Sequence, residues 1–249
     1  MMRVQKYLSR AGYCSRRQGE ALMKQGRVTI NGEVCRELGS KIDPDQDSVE
    51  VDGRLIELPE DFTYILVHKP VGYVTTLDDP RGRPTVADLL DDDQPRLWPV
   101  GRLDLDSSGL LLMTDDGKLT HRLTHPSYEA RKRYRVSVRG HVDDDSSALE
   151  RLRNGVELDD GYVTEPADVH VVERRSASTL LDVTLTEGKN RQIRRMAEAI
   201  GHPVESLTRV AIGPIELGEL EPGQSRPLTD EEIDSLYREV GDEPPRPTS

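Results

Sequence analysis

Cysteine is scarce in this chain, and the two present, Cys14 and Cys35, stand in no ligand spacing. Neither a disulfide framework nor a zinc site is indicated. Nowhere do apolar residues run for the roughly 18 positions a membrane helix needs. The opening Met1-Met2-Arg3-Val4-Gln5-Lys6 has no apolar region of the kind a signal peptide carries, and no internal repeat is found. These absences predict a cytoplasmic protein with no membrane partner. Its 249 residues suit one small and one larger core.

Positive charge is also in short supply, since 34 Lys and Arg face 46 Asp and Glu for a net charge of −12. Such a balance argues against nucleic acid until its distribution is considered. Residues 1–36 hold eight cations (Arg3, Lys6, Arg10, Arg16, Arg17, Lys24, Arg27 and Arg36) against Glu20 and Glu33. That stretch therefore carries +6 and the remainder −18. A basic module on an acidic body suits docking a polyanion with one face, although many charge runs are only solvated faces.

The pattern inside the basic stretch is more specific than its charge. Val4, Tyr7, Leu8 and Ala11 recur at helical spacing. Ser15 then opens a second helix through a Ser-x-x-Gln capping box closed by Gln18, followed by apolar Ala21 and Leu22. After Gly26, two short strands are expected about Asn31-Gly32, because Asn-Gly favours the hairpin turn.

The most informative segment is Gly101-Arg102-Leu103-Asp104-Leu105-Asp106-Ser107-Ser108-Gly109, followed by Leu110-Leu111-Leu112-Met113 and the turn Asp115-Asp116-Gly117. Asp104, Asp106, Ser108 and Asp115 match the spacing of a calcium loop. That reading is disfavoured, because the apolar run suits a buried strand better than the helix an EF-hand requires. Downstream, Lys132-Arg133-Tyr134-Arg135-Val136 alternates as a strand. Ile193, Met196, Ala197 and Ile200 mark one face of a helix from about residue 190. Lys189, Arg191, Arg194 and Arg195 crowd the start of that helix, where the macrodipole disfavours cations. The crowding makes sense if an anion lies there, either RNA phosphate or the Asp104 carboxylate; for Arg191 and Arg195 a solvated helix end is the competing reading.

Together these segments resemble the pseudouridine synthases that modify ribosomal RNA. The signature G-R-L-D-x-x-T-x-G-L-L-L-x-T matches residues 101–114, with Ser107 where Thr is usual. Lys132, Tyr134 and Val136 match K-x-Y-x-V, and residues 187–196 match E-G-x-x-x-Q-[IV]-[RK]-R-M. Tyr64 to Gly72 resembles the opening strand and K-P-x-G turn, and Thr208 to Ile215 the closing strand. The two small helices with Arg16-Arg17 and Val28-Thr29-Ile30-Asn31-Gly32 resemble the S-four-type RNA-binding domain that often precedes such enzymes.

The fold implied is α+β: a small N-terminal S-four-type RNA-binding domain plus a mixed, mainly antiparallel-sheet catalytic domain. The expected boundaries are 1–53 for the RNA-binding domain, 54–61 for a linker, 62–240 for the catalytic domain and 241–249 for a disordered tail. Exposed acidic loops are expected at Asp91-Asp92-Asp93 and Asp143-Asp144-Asp145. A final helix is expected to be capped by Thr229 with Glu232 and to bury Ile233, Leu236 and Tyr237.

By the same resemblance Asp104 is the nucleophile, either adding to the anomeric carbon or deprotonating the ribose to a glycal. Tyr134 stacks on the target uracil and relays its proton, and Arg194 ion-pairs with Asp104. Arg102 fills the gap left by the flipped base. RNA contacts are expected from Arg3, Lys6, Arg10, Arg16 and Arg17, which position without reading sequence, and from Lys132, Lys189, Arg191 and Arg195. The implied reaction is an isomerisation needing no cofactor and no metal, carried out by a monomer. Large-subunit ribosomal RNA, free or in an assembling subunit, is the expected partner; small-subunit RNA and tRNA are the alternatives. A catalytically silent RNA-binding assembly factor is the competing reading from another class.

Overall fold

A computed structural model describes residues 1–59, 61–91 and 94–244. In the basic module β1 (Met2–Arg3) leads into α1 (Val4–Arg10), which buries Val4, Tyr7 and Leu8. Ser15 caps α2 (Arg16–Gln25) as expected: its hydroxyl accepts from Gln18 N at 3.2 Å, and Gln18 Oε1 accepts from Ser15 N at 2.9 Å. The inward face of α2 is carried by Gly19 and Met23, while Ala21 is exposed and Leu22 half-buried. Asn31 and Gly32, with φ of 51° and 83°, make the turn between β2 (Val28–Ile30) and β3 (Glu33–Val34). β4 (Lys41–Ile42) returns to pair with β1.

The module runs past its expected end at Gly53. Asp52 and Gly53, at φ 52° and 77°, form a second hairpin turn joining β5 (Val49–Val51) to β6 (Arg54–Leu55). Asp-Gly favours this turn for the same reason as Asn-Gly, so Arg54 and Leu55 form a strand where a linker was expected. Ile56 is buried in the same core, and the Tyr7 hydroxyl donates to its carbonyl at 2.8 Å.

The larger part is one nine-stranded sheet. Its strands are β7 (Tyr64–Lys69), β8 (Trp98–Pro99), β9 (Ser108–Thr114), β10 (Lys132–Arg139), β11 (Asp168–Arg174), β12 (Ser178–Leu185), β13 (Val204–Ile212), β14 (Ile215–Glu216) and β15 (Ser225–Pro227). The order is β11-β12-β10-β13-β9-β7-β15, with β8 on β9 and β14 on β13. Every pairing is antiparallel except β9 with β13, which is parallel and only two residue pairs long. The helices are α3 (Gly117–Thr124), α4 (Ser147–Asn154), α5 (Gln192–Ala199) and α6 (Asp230–Glu239).

The apolar run of β9 is explained by burial on both faces. Leu110 and Leu112 pack with Tyr64, Leu66, Leu119 and Leu236, whereas Leu111 and Met113 pack on the opposite side with Ile65, Val67, Val86 and Leu97. Strands covered on both faces read as continuous hydrophobic runs rather than alternation. α4 and α5 cover β10, β12 and β13 with a further core.

The helix expected from about residue 190 begins at Gln192, because Arg191 has left-handed backbone (φ 49°) and ends the preceding loop. The closing strand starts earlier than Thr208, at Val204, and Gly213-Pro214 turns the chain so that Ile215 lies on β14. α6 has the expected Thr229–Glu232 box and buries Leu236 and Tyr237, with Ile233 partly covered. Asp242, placed in the expected tail, is bound by Lys118 at 2.6 Å and Arg122 at 3.2 Å of α3. Asp92, Asp93 and residues 245–249, which the acidic-loop and tail expectations also cover, lie outside the described residues. Among the described residues no helix is long and apolar enough to cross a membrane.

Candidate active site

The loop bearing Asp104 is fixed carbonyl by carbonyl. Leu103 O accepts from Thr75 Oγ1 at 2.7 Å, Asp104 O from Ser107 N at 3.1 Å, and Leu105 O from Gly72 N at 2.8 Å. Asp106 O accepts from Arg194 Nη2 at 2.7 Å and Ser107 O from Lys69 Nζ at 2.7 Å. Lys69 and Gly72 belong to the K-P-x-G turn, so that turn is a clamp on the acidic loop. Burial pushes the Lys69 ammonium down to about 8, against the opposing pull of Asp104 and Asp106.

Gly109 sets the loop against the sheet. At φ 112°, a Cβ there would lie 2.2 Å from Arg209 O and 2.5 Å from Arg209 N. Only glycine lets β9 approach β13 this closely, and the Ser108 and Thr208 hydroxyls share a hydrogen bond across the seam at 2.8 Å.

The expected Arg194–Asp104 ion pair is not formed. Arg194 is buried; besides its bond to Asp106 O, its Nε lies 3.3 Å from Asp106 Oδ2. The cation nearest Asp104 is Arg191, with Nη1 at 3.9 Å from Asp104 Oδ2. Arg191 also grips Asp106 with two bonds of 3.0 and 2.9 Å, and this contact holds the Asp106 carboxyl below the usual range. The physical reason is the left-handed Arg191. It starts α5 one residue later than a continuous helix would, which sends Arg194 behind the loop and leaves Arg191 on the open side. The anion expected at this helix start is therefore Asp106 first and Asp104 second.

Asp104 and Tyr134 line one cleft of about 360 Å³, together with Arg102, Lys132, Lys189, Arg191 and Arg209. Tyr134 lies on β10 opposite Arg209 of β13, and Arg209 lies opposite Gly109 of β9, so the three form a row across the sheet. Lys132 is half-buried, donates to Ala130 O at 2.8 Å, and is pushed down to about 8 by burial, with Arg209 adding to the effect. Arg102 is exposed at the rim, and Lys189 lies 4.4 Å over the Tyr162 ring. Arg195 does not line the cleft; it pairs with Asp159 and Asp160.

Among the basic residues of the N-terminal module, Arg3, Lys6, Arg16 and Arg17 are exposed. Arg10 is instead half-buried at the junction, its guanidinium 4.6 Å over the Phe62 ring. Lys6, Arg10 and Arg16 line a second cavity of about 500 Å³ between the module and the larger sheet, facing Trp98, Asp115 and His121.

Lys69 and Arg209 take part in the site although the sequence pointed to neither as a site residue, and Asp106 does so although the sequence offered it only as a calcium-loop ligand. Arg209 is detectable as the lone cation of its strand, directly before apolar Val210-Ala211-Ile212. The arrangement offers a rigid, partly exposed carboxylate beside a guanidinium and across from a tyrosine, in a cleft ringed by cations. Such a site can act on the sugar of a polyanion with nucleophilic or proton-transfer chemistry.

Comparison with known proteins gives a consistent picture. A family model described as RNA pseudouridylate synthase matches residues 63–199, and one described as S4 domain matches residues 2–48. The chain is 44% identical over 241 residues to an uncharacterized RNA pseudouridine synthase of Aquifex aeolicus, covering 96% of this chain and 95% of that protein. It is 40% identical over 238 residues to ribosomal large subunit pseudouridine synthase B of Bacillus subtilis, covering 95% and 96% respectively. A solved pseudouridylate synthase structure superposes with a TM-score of 0.68 at 32% identity, covering 95% of this chain and all of that one.

Proposed function

The chain belongs to the RNA pseudouridine synthase family, and from that premise we propose that it converts a uridine of large-subunit ribosomal RNA into pseudouridine, with Asp104 as the reacting carboxylate. The observation that carries the assignment is the loop holding Asp104, tied at five consecutive carbonyls and set against Arg191 and the Tyr134 cleft. The relative acting on the large subunit covers nearly the whole chain at 40% identity, and this supports the choice of RNA.

In this reading the target nucleotide leaves its stack and its base enters the cleft, as required of an enzyme that does chemistry on a base. Arg102 at the rim occupies the vacated position. Asp104 acts at the ribose, either adding to C1′ or removing the 2′ proton, as the C1′–N1 bond breaks. The base turns against Tyr134 and rejoins C1′ through C5; C5 then loses its proton and N1 gains one, so no atom is gained or lost. Arg191 places positive charge beside Asp104, while Arg194 acts through the loop, by holding Asp106 O. The exposed Arg3, Lys6, Arg16 and Arg17 contact phosphates, and the larger domain contributes Lys189.

The test is pseudouridine mapping across ribosomal RNA and tRNA from cells lacking the protein, restored with wild type or Asp104→Ala. A large-subunit site lost on deletion and recovered only with wild type supports the proposal. A lost site in small-subunit RNA or tRNA reassigns the substrate, and an unchanged map favours a silent binding factor.

A further inference from the structure

Lys132 and Arg209 are two cations at the floor of the cleft with no carboxylate partner. Arg209 is only 3% exposed, and its one hydrogen bond runs from Nε to Leu110 O at 2.8 Å. Its Nη2 is buried and, among the described residues, has no partner. Lys132 donates to a single neutral acceptor, Ala130 O. Among the described residues neither lies within 4.0 Å of a carboxylate, whereas Arg191 and the buried Arg194 of the same site each do. The two carboxylates lining the cleft are otherwise engaged or directed. Asp104 stands beside Arg191, and Glu187 accepts from the Tyr162 hydroxyl at 2.7 Å and from Glu165 N at 3.0 Å.

An uncompensated buried cation is expensive, and an unsatisfied guanidinium NH adds to the cost. Two such groups side by side repel each other as well, which is one cause of the low value for Lys132. A protein keeps such a floor where an anion arrives during function. The RNA has two anions to offer. Its phosphates belong to the backbone, and exposed Arg102, Lys189 and Arg191 stand at the rim to receive them. The floor, beside Tyr134, is reached by the base.

We propose that Lys132 and Arg209 stabilise the departing uracil as an anion, donating to its ring oxygens while it is detached from the ribose. The inference rests on the isomerase reading and deepens it. When the C1′–N1 bond breaks, both electrons leave with N1, and the negative charge spreads onto O2 and O4 of the ring. The ribose is held meanwhile as an ester of Asp104 or as a glycal whose 2′ proton Asp104 has taken. Formation of the C1′–C5 bond returns that electron pair to the sugar, releases Asp104 or restores the 2′ proton, and so discharges the ring; C5 then loses its proton and N1 gains one with no change of charge. The cations are therefore most needed between the two bond changes, which is where stabilisation accelerates the reaction.

The experiment uses full-length protein and two transcripts of large-subunit ribosomal RNA, one made with uridine and one with 5-fluorouridine, whose base leaves more readily as an anion. Single-turnover rates are read as nucleoside whose base no longer departs from the ribose on fragmentation. Lys132→Met and Arg209→Met are expected to slow the uridine transcript about 100-fold, the scale for losing one preorganised charge-stabilising donor, with RNA affinity within about 3-fold of wild type. On the fluorinated transcript the deficit should shrink to under about 10-fold, and Lys132→Arg should recover most of the rate. Lys132→Met serves if Arg209→Met fails to fold, since Lys132 makes only its bond to Ala130 O. Equal deficits on both transcripts, or a loss confined to RNA affinity as a phosphate contact would give, overturn the inference. Failure of wild type on the uridine transcript overturns the reading of free large-subunit RNA as the substrate, on which the inference rests.

Discussion

Replacing Gly109 with alanine tests the seam on which the site is built. The added Cβ would sit 2.2 Å from Arg209 O, so β9 and β13 must separate by about 1.2–1.8 Å to reach ordinary contact. Holding alanine at φ 112° costs about 1–3 kcal/mol. The separation also stretches the Arg209–Leu110 and Ser108–Thr208 hydrogen bonds, both 2.8 Å, at about 1 kcal/mol each. The sum is about 3–5 kcal/mol, which for a chain of this size lowers Tm by roughly 6–20 °C. Gly82→Ala is the control, because Gly82 has φ 67° with nothing within 4 Å and should cost only the left-handed penalty of about 1–2 kcal/mol. Urea and thermal unfolding of both variants give the difference. Single-turnover isomerisation at a temperature where both are folded shows whether the displaced loop also stops chemistry. If Gly109→Ala melts with Gly82→Ala and retains full activity, the close approach of the two strands is not what holds the site.

Other outcomes follow from the same structure. Asp104→Ala should abolish turnover, with RNA affinity within about 3-fold of wild type by filter binding; equal losses in both would remove Asp104 from the chemistry. Asp106 titrates below its ordinary value because of Arg191, so the stability it contributes is present above about pH 4 and fades as pH falls toward the folded value. The stability gap between wild type and Arg191→Gln, read by urea unfolding, should therefore be wider at pH 5 than at pH 3, and a gap that widens in acid would refute this. Removing Arg3, Lys6, Arg16 and Arg17 together should weaken RNA binding and flatten its salt dependence, since each phosphate contact adds about 0.7–0.9 to the slope. Arg10→Gln should instead lower Tm through the lost Phe62 contact and leave the slope unchanged.

Much of the fold was legible because local signals agreed with the final packing. Asn31-Gly32 dictated a hairpin turn, Ser15 and Thr229 carried capping boxes, and the run Leu110-Leu111-Leu112-Met113 announced a strand buried on both faces. Asp52-Gly53 carries the same turn signal as Asn31-Gly32, but it falls where the resemblance places the end of the module, so the strand beyond it is hidden. The candidate site was legible as a set of segments and not as a set of pairs. Arg191, Arg194 and Arg195 are indistinguishable by type and lie within one helical turn, and only the left-handed backbone at Arg191 decides which of them reaches Asp104. A conformational choice at one non-glycine residue leaves no mark in composition or periodicity. Arg209 did leave a mark, a cation amid apolar neighbours on an inner strand, although its neighbourhood depends on a parallel pairing between segments 100 residues apart.

The pairing of β15 with β7 bears on the order in which the protein can be made. Val67, Leu66 and Ile65 find their outer partners only in Ser225, Arg226 and Pro227. The Tyr64 hydroxyl likewise meets Asp116 together with that of Tyr237. β7 and β9 therefore precede in the chain both of the strands that flank them, β13 on the β9 side and β15 on the β7 side, and the β15 edge is the last to be covered. A bare apolar edge is a template for mispairing, and closure over so long a separation is slow. A chain cut before residue 225 would leave that edge open beside β9, the strand on which the Asp104 loop is mounted.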